Sequence, residues 1–258
     1  MNPDYFSKLK KRLNIELEKH DRSGIYGYTQ RMLAYNSNKI EGSTLTEEQT
    51  ANLFDTGSLL ADSKMIRAKD IEEMTGHFSM FNEMLKTADD PLSQNLIKRY
   101  HYRLKSGVFE DLANGYPCGE FKNRRNRVGN ITTADPEDVP WKMQQLIEWY
   151  ENQPAKDLCT LADFHIRYEQ IHPFQDGNGR TGRILLFKEC LRQEIVPFII
   201  MDKDKLEYYH CLNNSGSLAR FFEKQQEGYL EISESLIFTG SELQLSMNME
   251  NEENEMDL

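Results

Sequence analysis

Up to Leu112, apolar residues recur at three- and four-residue intervals in segments rich in Leu, Met, Lys, Glu and Gln, a pattern that predicts several short helices. The pattern breaks at Asn114-Gly115-Tyr116-Pro117. From Gly119 to Pro140 the chain is punctuated by Gly, Asn, Asp and Pro, and only Val128 to Thr133 reads as a pairing hairpin. Helical spacing returns with Leu158, Leu161, Phe164, Tyr168 and Ile171 on one face, and Pro173 stops that helix. A glycine-rich turn, Asp176 to Gly179, leads into a second apolar helix with Ile184, Leu185, Phe187 and Leu191. Further helices are expected around Leu206 to Leu212 and Leu218 to Leu236, and the final MNMENEENEMDL, acidic with little to bury, reads as a disordered tail. The expected class is mainly α, a helical bundle with one small β-hairpin.

Composition narrows the picture. With 258 residues the chain suits one large domain or two small ones, and 38% hydrophobic against 28% charged residues is an ordinary globular balance. A formal charge of -11 argues against a general nucleic-acid binder, which needs a positive surface to displace counterions. The longest apolar stretch, Ile195 to Met201, is far short of the roughly 20 residues that span a bilayer. The N-terminus has no signal-peptide core, which places the protein in the cytoplasm by default. Cys118, Cys159, Cys190 and Cys211 are scattered without a CxxC pair and read as reduced, mostly buried thiols.

The chemistry concentrates in His172-Pro173-Phe174-Gln175-Asp176-Gly177-Asn178-Gly179-Arg180-Thr181-Gly182-Arg183. Gly177 and Gly179 allow turn conformations that bring successive N–H groups to an anion, and the following helix points its positive end at the same place. Arg180 and Arg183 lie on one side of the first helical turn, where guanidinium forks can hold phosphate oxygens. Asp176 supplies a hard ligand for magnesium, and His172 can take a proton near neutral pH. Together these groups suit attack of a hydroxyl on phosphorus. Gly177, Gly179 and Gly182 also satisfy GxGxxG, with Asp202 beyond the strand-like Ile195 to Met201. A dinucleotide fold, however, needs an apolar strand directly before the first glycine, and Glu169 to Asp176 is not one. His165 lies two turns before His172, about 10 Å away by helix rise, and reads as a packed histidine, as do the isolated His20, His77, His101 and His210.

The string matches the Fic signature HPFx(D/E)GNGRxxR at every defined position, and the chain is identified by resemblance as a Fic-domain protein adenylyltransferase with an N-terminal inhibitory helix. Gly119-Glu120-Phe121 ahead of the hairpin and Tyr208-Tyr209 after the motif extend the likeness. The resemblance implies a Fic fold and transfer of AMP from magnesium-ATP to a protein Ser, Thr or Tyr hydroxyl, on another protein or on the chain itself. By the same carry-over His172 is the base, Phe174 a buried anchor among the nucleotide-binding residues, and Asp176 the metal ligand. Gly177, Asn178 and Gly179 cradle the α and β phosphates, Arg180 holds the departing phosphates and Arg183 the γ phosphate; Tyr208 and Tyr209 complete the nucleotide set. Val128, Gly129, Asn130, Ile131 and Thr132 form a flap that aligns the target as an added strand. Lys122, Arg124, Arg125 and Arg127 read as a solvated charged loop beside it.

Ser37-Asn38-Lys39-Ile40-Glu41-Gly42 matches the (S/T)xxxE(G/N) element that marks an inhibitory helix in Fic proteins. Ser37 and Glu41 share a helix face, Gly42 suits the helix end, and Thr44 with Glu47 reads as a capping box for the next helix. The expectation is that Glu41 pairs with Arg183 and occupies the group meant for the γ phosphate. The implied division is residues 1–70 as an N-terminal helical region, 71–236 as the Fic domain and 237–258 as the acidic tail. Neither manganese in place of magnesium nor homo-oligomerisation is decided, and no membrane or nucleic-acid partner is expected. A de-AMPylating or bifunctional enzyme, a Fic transferase of another group, and a regulatory binding module with weak catalysis stand as alternatives.

Overall fold

The computed structural model describes residues 2–59, 65–128 and 131–256, and the side chains of 128–132 and 239–258 lie outside that description. The chain folds around one helix, α9 (Asn178–Arg192), whose residues are buried on every side from Arg180 to Leu191. A helix buried on all sides belongs in an interior, where its charged members must be met by partners. Accordingly α2 (Ile25–Ile40), α4 (Ala68–Lys86), α5 (Gln94–Lys105) and α8 (Leu158–Ile171) all pack against it. Outside this shell, α1 (Tyr5–Glu18) lies on α2, α3 (Glu47–Thr56) packs on α2 and α4, and α7 (Val139–Glu151) covers α8. The short α6 (Phe109–Ala113) and α10 (Lys205–Cys211) precede the hairpin region and α11 (Ser215–Met256), and α11 crosses α8. One continuous core, including Phe81, Phe164, Phe187 and Tyr229, joins these layers.

Local sequence explains the helix ends. Asp157 accepts the Thr160 N–H at 2.8 Å and starts α8, and Glu16 of α1 accepts the Tyr26 N–H at 2.9 Å, supplying α2 with the cap that Gly24 cannot. The capping box of α3 falls two residues from the expected place: Thr46 and Gln49 exchange side-chain to backbone bonds at 3.1 and 3.0 Å. Thr44 is unavailable because its hydroxyl and N–H both donate to Asp70, at 2.6 and 2.8 Å, tying the chain after α2 to the start of α4.

Three other expectations need comment. Ile195 to Met201 pairs with no strand among the described residues, and the Asp202 N–H donates to Asn36 at 2.9 Å, so no dinucleotide-type sheet is built there. Two-residue strands β1 (Arg127–Val128) and β2 (Ile131–Thr132) pair antiparallel, Arg127 opposite Thr132 and Val128 opposite Ile131; Gly129 and Asn130 lie outside the described residues. The backbone of α11 continues as helix through Met256 where a disordered tail was expected; that stretch contains no proline to break it, and its side chains lie outside the described residues. Cys190 and Cys211 are buried, Cys159 is exposed, and all four cysteines are free. No described helix is long and apolar enough to cross a membrane.

The far half of α9 carries a fully buried Lys188 and Glu189, paired at 2.8 Å, with Tyr150 donating to Glu189 at 2.9 Å and Lys188 donating to the Asp90 carbonyl at 2.6 Å. Removing one member of a buried pair strands the other. Lys188→Met is therefore expected to cost about 3 kcal/mol of stability in urea unfolding, and adding Glu189→Gln is expected to recover part of that loss.

Candidate active site

Helix α8 ends on His172, which adopts a left-handed conformation (φ 50°, ψ 65°) while its N–H still closes the helix on the Tyr168 carbonyl at 2.9 Å. A β-carbon residue in this region is uncommon, and here it turns the chain abruptly from α8 into the motif loop. Glu169, one turn earlier on α8, places Oε2 3.7 Å from His172 Nδ1, in ion-pair range but beyond a hydrogen bond. Burial acts to raise the Glu169 carboxyl, but His172, His165 and Arg183 outweigh it and hold the group ionised below its ordinary value.

The loop is clamped from within. The Asn178 side chain accepts the Phe174 N–H at 2.7 Å and donates to the Phe174 carbonyl at 2.8 Å, so one amide closes the turn with both of its ends. Phe174, fully buried, stacks on His101 with ring centres 3.8 Å apart and planes within 4°. His101 Nδ1 accepts the Gly119 N–H at 3.0 Å, which leaves Nε2 to donate to the Asp176 carbonyl at 2.9 Å. Gly177 caps α9 at φ 83°, a conformation natural to glycine.

Charge is dense around this turn. Asp176 accepts its neighbour's N–H (Gly177) at 2.7 Å on one oxygen and the buried Lys105 ammonium at 2.8 Å on the other, with Arg180 at 3.5 Å and Lys69 at 3.6 Å. Burial would raise the Asp176 carboxyl, but Arg180 and Lys105 dominate and hold it far below the usual carboxylate range. Lys105 is shared by three carboxylates: Glu73, Asp111 at 2.7 Å, and Asp176. Arg180 is buried and faces Glu73 of α4 and the Asn38 side-chain oxygen at 3.2 Å. Burial would lower its pKa, and Glu73 and Asp176 raise it instead.

Arg183, one turn further, is gripped by the end of α2. Its Nε donates to Ser37 Oγ at 2.9 Å, and Nη2 donates to the Ser37 carbonyl at 2.9 Å and to Glu41 Oε1 at 2.7 Å. Glu41 comes so close to α9 that a β-carbon on Gly179 would lie 2.4 Å from its carboxylate oxygen. A small polar cavity of about 190 Å³ opens beside these groups, lined by Glu41, Lys69, Glu73, Asp176 and Arg180 among others.

The fold thus gathers His172, Asp176, Gly177, Gly179, Arg180, Arg183, Ser37 and Glu41 at one end of α9. Three residues assigned to the nucleotide have partners within the chain. Tyr208 is buried and its hydroxyl bonds His165 at 2.7 Å, with Arg183 also acting on it. Tyr209, 43% exposed, donates to the Ile40 carbonyl at 3.4 Å, with the Lys205 ammonium over its ring and Glu41 and Arg183 acting on its hydroxyl. The Asn178 side chain is spent on Phe174, which leaves only its backbone for an anion. Lys122 is not part of a solvated loop: it is 3% exposed and donates to Asn126 and Thr133, each at 2.7 Å, tying the hairpin root together. Glu73, Lys105, His101 and Glu169 went unassigned; only Glu169, three residues before His172 on the same helix, carried a local signal.

Residues 91–189 match the model of the Fic/DOC family. Over that stretch the chain is similar to the Fic/DOC family. It is 26% identical over 211 residues to protein adenylyltransferase fic-1 of Caenorhabditis elegans, covering 78% of this chain and 40% of that one. It is 29% identical over 192 residues to protein adenylyltransferase Fic of Drosophila melanogaster, covering 72% of this chain and 38% of the fly protein. The chain therefore spans about two fifths of the length of these curated relatives. Among solved structures, a Fic-domain-containing signaling protein from Bacteroides thetaiotaomicron superposes with TM-score 0.70 at 23% identity, covering 89% of this chain and 95% of that one. Fic-1 of C. elegans (residues 134–508) superposes with TM-score 0.68 at 20% identity, covering 91% and 73%. The Fic fold of the chain accordingly rests on a helical bundle, with α8 and α9 delivering the signature between them.

Two outcomes follow from this geometry. Burial lowers the pKa of His77 and His101 to about 3 and of His165 to about 4, from 6.5. Below 6.5 the unfolded chain takes up protons that the folded chain refuses, so stability is full above that value and falls as pH drops through the window down to about 3. Urea midpoints measured from pH 7 to pH 5 are expected to decline, and His101→Gln is expected to flatten the decline. Asn178→Ala, which leaves the buried Phe174 N–H without its acceptor while the Phe174 carbonyl keeps only Asn126 at 2.9 Å, is expected to cost about 2 kcal/mol by the same measurement.

Proposed function

We propose that this Fic domain is a protein adenylyltransferase held back by its own Glu41. The observation that carries the reading is the convergence of His172, Asp176 and the N-terminal turn of α9 on one loop, with Arg183 already occupied by a carboxylate from α2. The adenylyltransferase names of the worm and fly relatives supply the group transferred.

In this reading the target hydroxyl gives its proton to His172, whose buried Nδ1 faces Glu169 and leaves Nε2 to act as base. The hydroxyl oxygen bonds to the α phosphorus of ATP, the bond from that phosphorus to the bridging oxygen breaks, and pyrophosphate leaves. The N–H groups at the start of α9 and the Arg180 guanidinium stabilise the charge that moves onto the phosphates. Asp176 fits a magnesium ion of the kind completed by substrate phosphates and water: it offers one carboxylate beside the cavity, and no cluster of three or more ligand residues stands among the described residues. When bound, such an ion would neutralise phosphate charge. The Asp176 carboxylate, now held by Lys105, would reorient or share that partner.

Glu41 opposes the reaction at Arg183, the group best placed for the γ phosphate. A carboxylate 2.7 Å from that guanidinium leaves it no free fork for an anion. The strands Arg127–Val128 and Ile131–Thr132 would offer their backbone to the target segment. Four free thiols support a reducing, cytoplasmic setting.

Incubation with labelled ATP and magnesium tests the reading. Glu41→Gly is expected to raise transfer of label onto the chain itself at least tenfold, about 1.4 kcal/mol or more, and adding His172→Ala is expected to abolish it. Equal labelling by wild type and Glu41→Gly would refute inhibition by Glu41, and absence of label from both would refute the transferase assignment.

A further inference from the structure

Beside the hairpin a second concavity opens, about 460 Å³ in volume, between α7 and α8. Trp141, Lys142, Gln145, Leu146 and Trp149 come from successive turns of α7, and Arg167, Gln170 and Ile171 from the last turns of α8. Its ends matter most. Ala134 lies two residues past β2, and Ile171 lies one residue before His172, so the groove begins where the hairpin and the motif loop meet.

The lining is unusual for this chain. Trp141 is 64% exposed, although burying a tryptophan is strongly favourable and nothing in the fold covers this one. Arg167 spreads its guanidinium 4.0 Å over the Trp149 ring and meets Asp163 at 2.9 Å on its other side. Among the described residues no acidic side chain lines the groove, whereas Lys142 and Arg167 both do, in a protein of net charge -11. Aromatic residues and arginine are the side chains that dominate binding energy at protein interfaces.

We propose that this groove docks the segment of a target protein flanking the modified hydroxyl, receiving an aromatic side chain that has a carboxylate next to it. The inference rests on the transferase reading and adds a recognition element to it. A segment lying along β1 or β2 continues over Ala134 into the groove, where Trp141 and Trp149 take the ring and Lys142 and Arg167 take the acid. Pairing by the hairpin backbone is blind to sequence, so the groove supplies the preference that the hairpin lacks.

Both tryptophans of the chain lie in this groove, which makes intrinsic fluorescence a reporter of its occupancy that does not depend on catalysis. The probes are short Gly-Ser peptides with one acceptor threonine and a Phe-Glu pair stepped one residue at a time to either side. They are titrated into the full chain carrying His172→Ala, in which no transfer takes place. A saturable change in emission is expected for peptides bearing the Phe-Glu pair. Affinity is expected to fall about tenfold with Arg167→Glu, with Trp141→Ala, and with Ala-Glu or Phe-Lys peptides. In the Glu41→Gly chain, AMP transfer to the peptides is expected to peak at one or two adjacent registers. Thermal midpoints of the variants separate lost binding from lost folding.

Emission unmoved by every peptide, or moved equally by Phe-Glu, Ala-Glu and Phe-Lys, overturns the docking proposal. Emission that depends on protein concentration without peptide, together with a dimer in sedimentation that Trp141→Ala dissolves, also overturns it and gives the face to a second copy of the chain. Selective peptide binding without label transfer by the Glu41→Gly chain would instead sink the transferase reading and leave the groove standing.

Discussion

Two guanidinium groups in the first two turns of α9, Arg180 and Arg183, are held out of water, and a buried cation is tolerated only where anions or carbonyls meet it. Much of the molecule can be understood as meeting that demand. Helix α4 contributes Glu73 to Arg180, the end of α2 contributes Ser37 and Glu41 to Arg183, and the motif loop contributes Asp176. Lys105 on α5 then balances the surplus of carboxylate, touching Glu73, Asp111 and Asp176 at once. The result is a preorganised polar centre in which most groups have partners before any substrate arrives, the arrangement that favours developing charge over bulk water. An incoming polyphosphate would enter as a competitor for bonds already made.

The neutral partners of the loop matter as much as the charged ones. Asn178 closes the turn on Phe174, and Phe174 is fixed by the face of His101, whose two nitrogens bridge Gly119 to Asp176. Because burial keeps His101 unprotonated, one tautomer makes both bonds across the ordinary pH range. The segment before the hairpin is thereby tied to the turn at Asp176 through a single ring, and Lys122 ties the hairpin's root to the same region. Rigid support of this kind is what positions reacting groups to within a fraction of an ångström.

What could be seen in the sequence divides along physical lines. The motif was legible because its groups are consecutive, and α8 and α9 because apolar spacing survives in single helices. Partners drawn from distant helices were not: Glu73 and Lys105 look like any surface charge until packing brings them within reach of Asp176 and Arg180. Lys122 misled for the same reason, as a lysine among arginines gives no hint that its ammonium is buried under a hairpin. The inward turn of Tyr208 to His165 follows from helical register and has no local signal in the sequence. The capping box slipped by two residues because Thr44 had a competing acceptor in Asp70, visible only in three dimensions.

Glu41 is the C-cap of α2, on the same chain as the arginine it engages, and Gly42 turns away from it at φ 90°. A tethered ligand acts at an effective concentration fixed by geometry, so on the reading above dilution cannot relieve the block. Release has to come from movement of the α2 terminus itself. Its last carbonyl, on Ile40, is held by Lys205 and Tyr209 across the gap to α10. Whatever loosens that join, a binding event or a local opening at α10, would reach Arg183 through Glu41, the residue that follows Ile40.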